Sequence, residues 1–98
     1  MSLFQLGSLY QTRGVADAIA ASPNGALEVS LCIERYSNGD WGLISGDDAE
    51  MNQMALEDGS RIMAAYDTDS IGKIWIITEA ADENGNRSVT TVLFPEEY

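Results

Sequence analysis

A chain of 98 residues with 45% apolar composition is expected to form one domain around one core, with a radius of gyration of roughly 13 Å, and leaves no room for a second. Sixteen acidic residues face five basic ones (Arg13, Arg35, Arg61, Lys73 and Arg87), a net charge of −11 that repels polyanions and excludes nucleic-acid binding through a basic surface. There is no histidine and a single cysteine, Cys32, which excludes histidine-based triads, histidine or thiolate zinc sites and an internal disulfide.

In chain order, Leu3, Phe4, Leu6, Leu9 and Tyr10 suggest a strand over residues 3–12, broken near Gly7, at a sheet edge. Thr12 can cap a short alanine-rich helix through Val15, Ala16, Ala18 and Ile19, which Ser22-Pro23-Asn24-Gly25 stops. Residues 26–36 fit two periods. Leu27, Val29, Leu31 and Ile33 alternate like a strand, whereas Val29, Cys32, Ile33 and Tyr36 follow helical spacing; the length of the segment favours the helix. Ser37-Asn38-Gly39-Asp40 is a turn, and Trp41 after it is expected to plug the core.

Ser45-Gly46-Asp47-Asp48 opens a third helix, with a polar cap and acids at the positive end of the dipole, and Gly59 ends it. Beyond Gly59 the period changes to two. Residues 61–66, 73–78 and 87–94 are expected to be strands of an antiparallel meander, separated by two polar turns and closed by Pro95. The run Ile74-Trp75-Ile76-Ile77 is apolar on both sides and belongs in a central strand, with Trp75 filling the core. The predicted class is α+β: three C-terminal antiparallel strands plus an N-terminal one, with about three helices on one face.

No apolar run nears the ~20 residues that cross a bilayer, and no leader pattern opens the chain, so the expected compartment is the cytoplasm. No cofactor motif is present: phosphate-binding glycine loops are missing, and Asp40, Asp47, Asp48 and Glu50, or Asp67 and Asp69, lack the calcium-loop pattern. Such acids are commonly caps and turns. Cys32 reads as a buried, inert thiol. A small carboxylate- or metal-dependent enzyme and a homo-oligomeric adaptor remain alternatives; Tyr98 would serve a dimer contact or tuck the chain end onto the sheet.

The acidity has a local form. Duplex DNA carries one charge per ~1.7 Å, so a ~30 Å face would need about eighteen, more than sixteen acids spread all round can supply. The third helix, however, carries five acids on ~18 Å of axis, close to the ~3.4 Å spacing of a single strand. On its wheel Met51, Met54 and Ala55 form one apolar stripe and Ala49, Asn52 and Leu56 another, with Glu50, Gln53 and Glu57 between. Methionine fills cores more often than it marks interfaces, so packing of both stripes is the first expectation. The interface alternative is a patch of Met51 and Met54 with Asp47, Asp48, Glu50, Glu57 and Asp58.

The blocks Asn38-Gly39-Asp40-Trp41-Gly42, Gly59-Ser60-Arg61-Ile62-Met63-Ala64-Ala65-Tyr66, Lys73-Ile74-Trp75-Ile76-Ile77-Thr78-Glu79-Ala80 and Arg87 through Tyr98, with Thr12-Arg13-Gly14-Val15 upstream, resemble a family of small uncharacterised proteins carried by plasmids, integrative elements and phages. The resemblance spans nearly the whole chain and points to a helix over residues 26–36. It implies no catalytic residues; labels of some relatives connect them with plasmids or restriction systems. Two departures stand out. Tyr36 replaces a histidine frequent in relatives, and residues 81–86 lengthen the last hairpin, making its tip a candidate for specialised contacts.

Charge and resemblance together imply a non-enzymatic accessory protein of a mobile element. Its acidic surface would bind the basic groove of a host nucleic-acid-binding protein, including restriction or CRISPR effectors, as a DNA mimic.

Overall fold

A computed structural model describes residues 2–98. The elements run β1 (Ser8–Gln11), α1 (Arg13–Ala21), α2 (Gly25–Ser37), α3 (Gly46–Asp58), β2 (Ile62–Thr68), β3 (Gly72–Thr78) and β4 (Val89–Leu93), followed by a single 3₁₀ turn at Pro95–Glu97. The strands form one sheet in the order β1-β4-β3-β2, and the Cα radius of gyration is 13.1 Å. The α+β architecture is as expected, with one correction: the sheet is mixed. β2, β3 and β4 form the antiparallel meander, but β1 runs parallel to β4, with Ser8 opposite Val89 and Gln11 opposite Val92.

The first strand is also shorter than expected. Gly7 lies at φ 65°, against the backbone of Arg87 and Ser88 so closely that a Cβ there would fall 2.4 Å from the Ser88 carbonyl. Only glycine fits this approach. It turns residues 3–6 out of the sheet, and Leu3 donates its amide to the Ser37 carbonyl while Phe4 meets Tyr36 edge-on.

Helix boundaries follow local chemistry. Thr12 Oγ1 accepts from the Val15 amide and Ser45 from the Asp48 amide, each satisfying a free N–H of a first turn, and Gly59 caps α3 in the left-handed region. Residues 26–36 lie within α2. The helical face Val29, Cys32 and Tyr36 is buried, while Leu27 and Leu31, which created the strand-like alternation, lie one turn apart on the exposed side.

One face of the sheet supplies Ile62, Ala64, Tyr66, Ile74, Ile76 and Val92 to the core. Val15 of α1, the buried face of α2, Trp41 and Ala55 of α3 pack against them. Trp41 plugs the core as expected, with Phe4 and Tyr36 around it. Through this layer runs a chain of hydroxyls: Tyr36 donates to Thr78 Oγ1 (2.7 Å), Thr78 lies 2.7 Å from Thr90 Oγ1, and Thr90 donates to the Leu6 carbonyl (2.7 Å). Since a carbonyl only accepts, the Thr90 proton points to Leu6 and Thr78 donates to Thr90, while the Tyr36 hydroxyl also lies 3.1 Å from the Ile62 carbonyl.

The opposite face is covered only in part. β3 is central, but Trp75 is half-buried on this face and not in the main core; the Tyr98 ring meets it edge-on at 5.5 Å. Arg61 Nη2 donates to the Tyr98 hydroxyl (2.8 Å), so the chain end is tucked onto the sheet.

Candidate functional site: the outer face of α3

The two apolar stripes of α3 have different fates. Asn52 and Ala55 are buried and Ala49 and Leu56 half-buried, so this stripe packs inward. Met51 and Met54 are 66% and 63% exposed. Core packing of both stripes is therefore corrected, and Ala55 belongs to the inner stripe. The reason lies in the short reach of the inner residues. Ala55 packs its small side chain close to the sheet, and the Asn52 amide binds the backbone of Met63 in β2, with Nδ2 donating to its carbonyl (2.8 Å) and Oδ1 accepting from its amide (3.3 Å). These anchors set the rotation of the helix and turn the methionines to solvent.

Asp47, Asp48, Glu50, Glu57 and Asp58 are all exposed. At ~100° per residue, Asp47, Glu50, Met51, Met54, Glu57 and Asp58 share an arc of roughly 120°, while Asp48 lies off it, toward Arg61. Among the described residues the sole ion pair is Arg35 with Asp40 (2.8 Å), away from this helix, so none of the α3 acids is ion-paired. Asp47 and Asp48 do have local work, since they sit in the first turn at the positive end of the helix. Hydrogen bonding from Ser60, through its side chain and its amide (2.8 Å), holds the Asp58 carboxyl below the usual carboxylate range.

Two concavities flank the helix. One, of about 370 Å³, runs between α3 and β2 with Ile44, Met51 and Met63 as apolar lining and Asp48 and Arg61 at its rim. The other, of about 420 Å³, lies at the C-terminal end of α3, where Glu57 and Asp58 meet Asp82 and Glu83 of the β3–β4 hairpin. These two hairpin acids are additions that charge counting along the helix missed. The lengthened hairpin was the available signal. Its tip is nucleated by Asp82, whose Oδ1 accepts from the amides of Asn84 and Asn86 (2.9 Å each), and is tied to the helix cap where the Ala81 amide meets the Gly59 carbonyl (2.7 Å).

Beneath this acidic end lies Arg87, 7% exposed. It was expected within a strand, but β4 begins at Val89. Its guanidinium donates to the carbonyls of Ser60 (2.7 Å), Ala55 (2.9 Å) and Glu79 (3.1 Å), so it caps the negative end of α3 and fastens the hairpin to it.

Elsewhere the carboxylates do not converge. Among the described residues no group of three His, Cys, Asp or Glu side chains is placed to hold a metal ion, and the Cys32 thiol is buried, which pushes its pKa up. No helix of the described residues is long and apolar enough to cross a membrane. Comparison of the chain with family models, with curated proteins and with solved structures finds no match in any of the three.

Proposed function

We propose that the chain is a non-enzymatic accessory protein of a mobile element, and that the outer face of α3 docks into the basic groove of a host nucleic-acid-binding protein such as a restriction or CRISPR effector. The observation that carries this reading is the exposure of Met51 and Met54 at 66% and 63% within an arc of unpaired acids. Charge alone on a surface serves solubility. Two flexible, polarisable side chains exposed amid that charge add what an adaptable contact needs, apolar anchoring inside a charged rim. The carboxylates would occupy positions normally taken by phosphates, with Glu57, Asp58, Asp82 and Glu83 extending the charged surface beyond the helix. The family resemblance supports the mobile-element context.

Displacement of a fluorescently labelled duplex from a panel of purified restriction and CRISPR effectors tests this reading. Displacement of the duplex from at least one effector is expected, weakening steeply between about 50 and 200 mM salt. The variant carrying Asp47→Asn, Asp48→Asn, Glu50→Gln and Glu57→Gln together is expected to lose it. Undiminished displacement by that variant, or none by the native chain, overturns the proposal.

A further inference from the structure

The two edges of the sheet are treated differently. At the β2 edge, Asn52 occupies the amide and carbonyl of Met63, and residues 41–43 pair with Ala65, whose amide donates to the Trp41 carbonyl (3.4 Å) and whose carbonyl accepts from Leu43 (2.7 Å). Gly42 permits this approach: at φ 72° it sits where a Cβ would fall 2.0 Å from the Ala65 oxygen. Among the described residues the β1 edge has no such cover. Ser8 and Thr12 donate inward to Ser88 (2.8 Å) and Val92 (3.0 Å), so the alternate residues Leu9 and Gln11 point their amides and carbonyls outward. Among the described residues these groups have no hydrogen-bond partner.

Open edges are normally blunted by shortness, charge, proline or a bulge; β1 is short, at four residues, but Ser8-Leu9-Tyr10-Gln11 has neither charge nor proline. Leu9 and Tyr10 are instead 48% and 57% exposed. Electrostatics singles out the same place. All sixteen acids and four of the five bases lie beyond residue 16, leaving Arg13 as the sole charged side chain before it. Two copies of a chain with net charge −11 repel over most of their surface, and this segment is where they can meet without opposing carboxylates. A carboxylate at the end of this segment, Glu97, is engaged by the Thr12 hydroxyl (2.7 Å) and the Phe94 amide (2.8 Å).

We infer that β1 is a self-association edge, pairing antiparallel with β1 of a second copy to make one continuous eight-stranded sheet. A two-fold axis requires like strands to run antiparallel. The register that uses every outward group places Tyr10 opposite the partner's Tyr10 on the axis. Leu9 then exchanges both backbone bonds with the partner's Gln11, and Gln11 with the partner's Leu9. Tyr10 forms a close, non-hydrogen-bonded cross-strand pair of aromatic rings. The exit of each β1, beside Glu97, lies next to the uncharged Gly7 and Ser8 of the other copy. So small an interface gives a weak, rapidly exchanging dimer, strengthened by salt as repulsion is screened.

Sedimentation velocity from about 10 µM to 1 mM, at low and high salt, reads this association; those concentrations bracket interfaces below ~1,200 Å². A monomer–dimer equilibrium that tightens with salt is expected. Gln11→Pro removes one outward amide and leaves the β1–β4 bonds intact, and it is expected to weaken the dimer at least tenfold. Hydrogen exchange on the native chain guards against a folding defect in that variant: Leu9 and Gln11 amides gain protection with concentration, while Ser8 and Tyr10 amides do not. Tyr10→Cys is expected to cross-link under mild oxidation, because Cα atoms of a non-hydrogen-bonded pair lie about 4.5 Å apart, whereas Leu9→Cys, offset diagonally, does not. A monomer throughout, a dimer indifferent to Gln11→Pro, or cross-linking of Leu9→Cys as fast as Tyr10→Cys overturns the inference.

Discussion

Asn52 and Met63 are joined by a side-chain amide standing in for a strand: the Asn52 Nδ2 donates to the Met63 carbonyl at 2.8 Å and its Oδ1 accepts from the Met63 amide at 3.3 Å. One residue thereby covers part of a sheet edge, fixes the rotation of α3, and determines which of its faces reaches solvent. Asn52→Ala leaves the amide and carbonyl of half-buried Met63 without partners. A loss of about 2–3 kcal/mol is expected in urea unfolding, from two hydrogen bonds and the desolvation of the groups left behind. Asn52→Asp is expected to be no better, since a carboxylate accepts but cannot donate to the Met63 carbonyl.

The methionines carry the complementary expectation. Met51→Ala and Met54→Ala, separately or together, are expected to change stability by no more than about 0.5 kcal/mol each, the range of surface substitutions. Buried methionines would cost about 2–5 kcal/mol. The same double variant is expected to weaken effector binding at constant charge, separating apolar anchoring from electrostatics.

The helix starts at Thr12 and Ser45, the stop at Gly59, the hairpins and the plugging role of Trp41 were legible because each is dictated within a few residues by capping, turn chemistry or burial. Strand direction was not. A period of two tells which side chains share a face but is the same for parallel and antiparallel pairing, and β1 runs parallel to β4 because of how Gly7 meets Ser88 and how Thr12 ends against Val92. Nor could the wheel of α3 choose between its apolar stripes, since the choice is made by Asn52 reaching Met63, eleven residues away. The acids of the hairpin tip join those of α3 through contacts spanning more than twenty residues, beyond the reach of any local pattern.

Tyr36 heads the hydroxyl chain that ends on the Leu6 carbonyl, and burial holds its phenol protonated, its pKa pushed well up. Tyr36→Phe keeps the ring contacts with Phe4 and Trp41 but removes the hydroxyl that serves Thr78 Oγ1 and lies beside the Ile62 carbonyl. A loss of about 1–2 kcal/mol is expected. If the chain is cooperative, Thr90→Val in the Tyr36→Phe background will cost less than it does alone, as a double-mutant cycle reads directly.

Asp40 links α2 to the following turn: Arg35 donates to it at 2.8 Å, and its carboxyl lies below the usual range through that hydrogen bond first and the Gly42 amide after it. A carboxylate depressed in the folded state stabilises fully above its unfolded pKa of about 3.9, and the contribution disappears as pH falls through the lower folded value. Native chain and Asp40→Asn are therefore expected to differ at pH 7 and to converge below about pH 4. The difference stays under about 1 kcal/mol because the pair is half-exposed. Thermal unfolding of both across pH 2–7 checks this. A difference that grows on acidification would contradict the assignment.

Arg87 sets the most demanding test of how the acidic end is assembled. A buried guanidinium with three carbonyl acceptors and no carboxylate is held because those oxygens, one at the C-terminal end of α3, offer concentrated negative dipole. Arg87→Met preserves much of the volume but leaves the Ser60 and Glu79 carbonyls short of donors and the Ala55 carbonyl with only the Gly59 amide, and is expected to cost about 2–3 kcal/mol, the range for losing charge-assisted hydrogen bonds and leaving acceptors unpaired. Arg87→Lys keeps the charge without the planar fork, and is expected to recover only part of that loss. The readout that separates fastening from bulk stability is local. Hydrogen exchange at the Ala81 amide, which bonds Gly59, is expected to accelerate in Arg87→Lys far more than exchange in the centre of β3. Equal acceleration at both places would mean that Arg87 stabilises the whole fold without specifically joining the hairpin to α3.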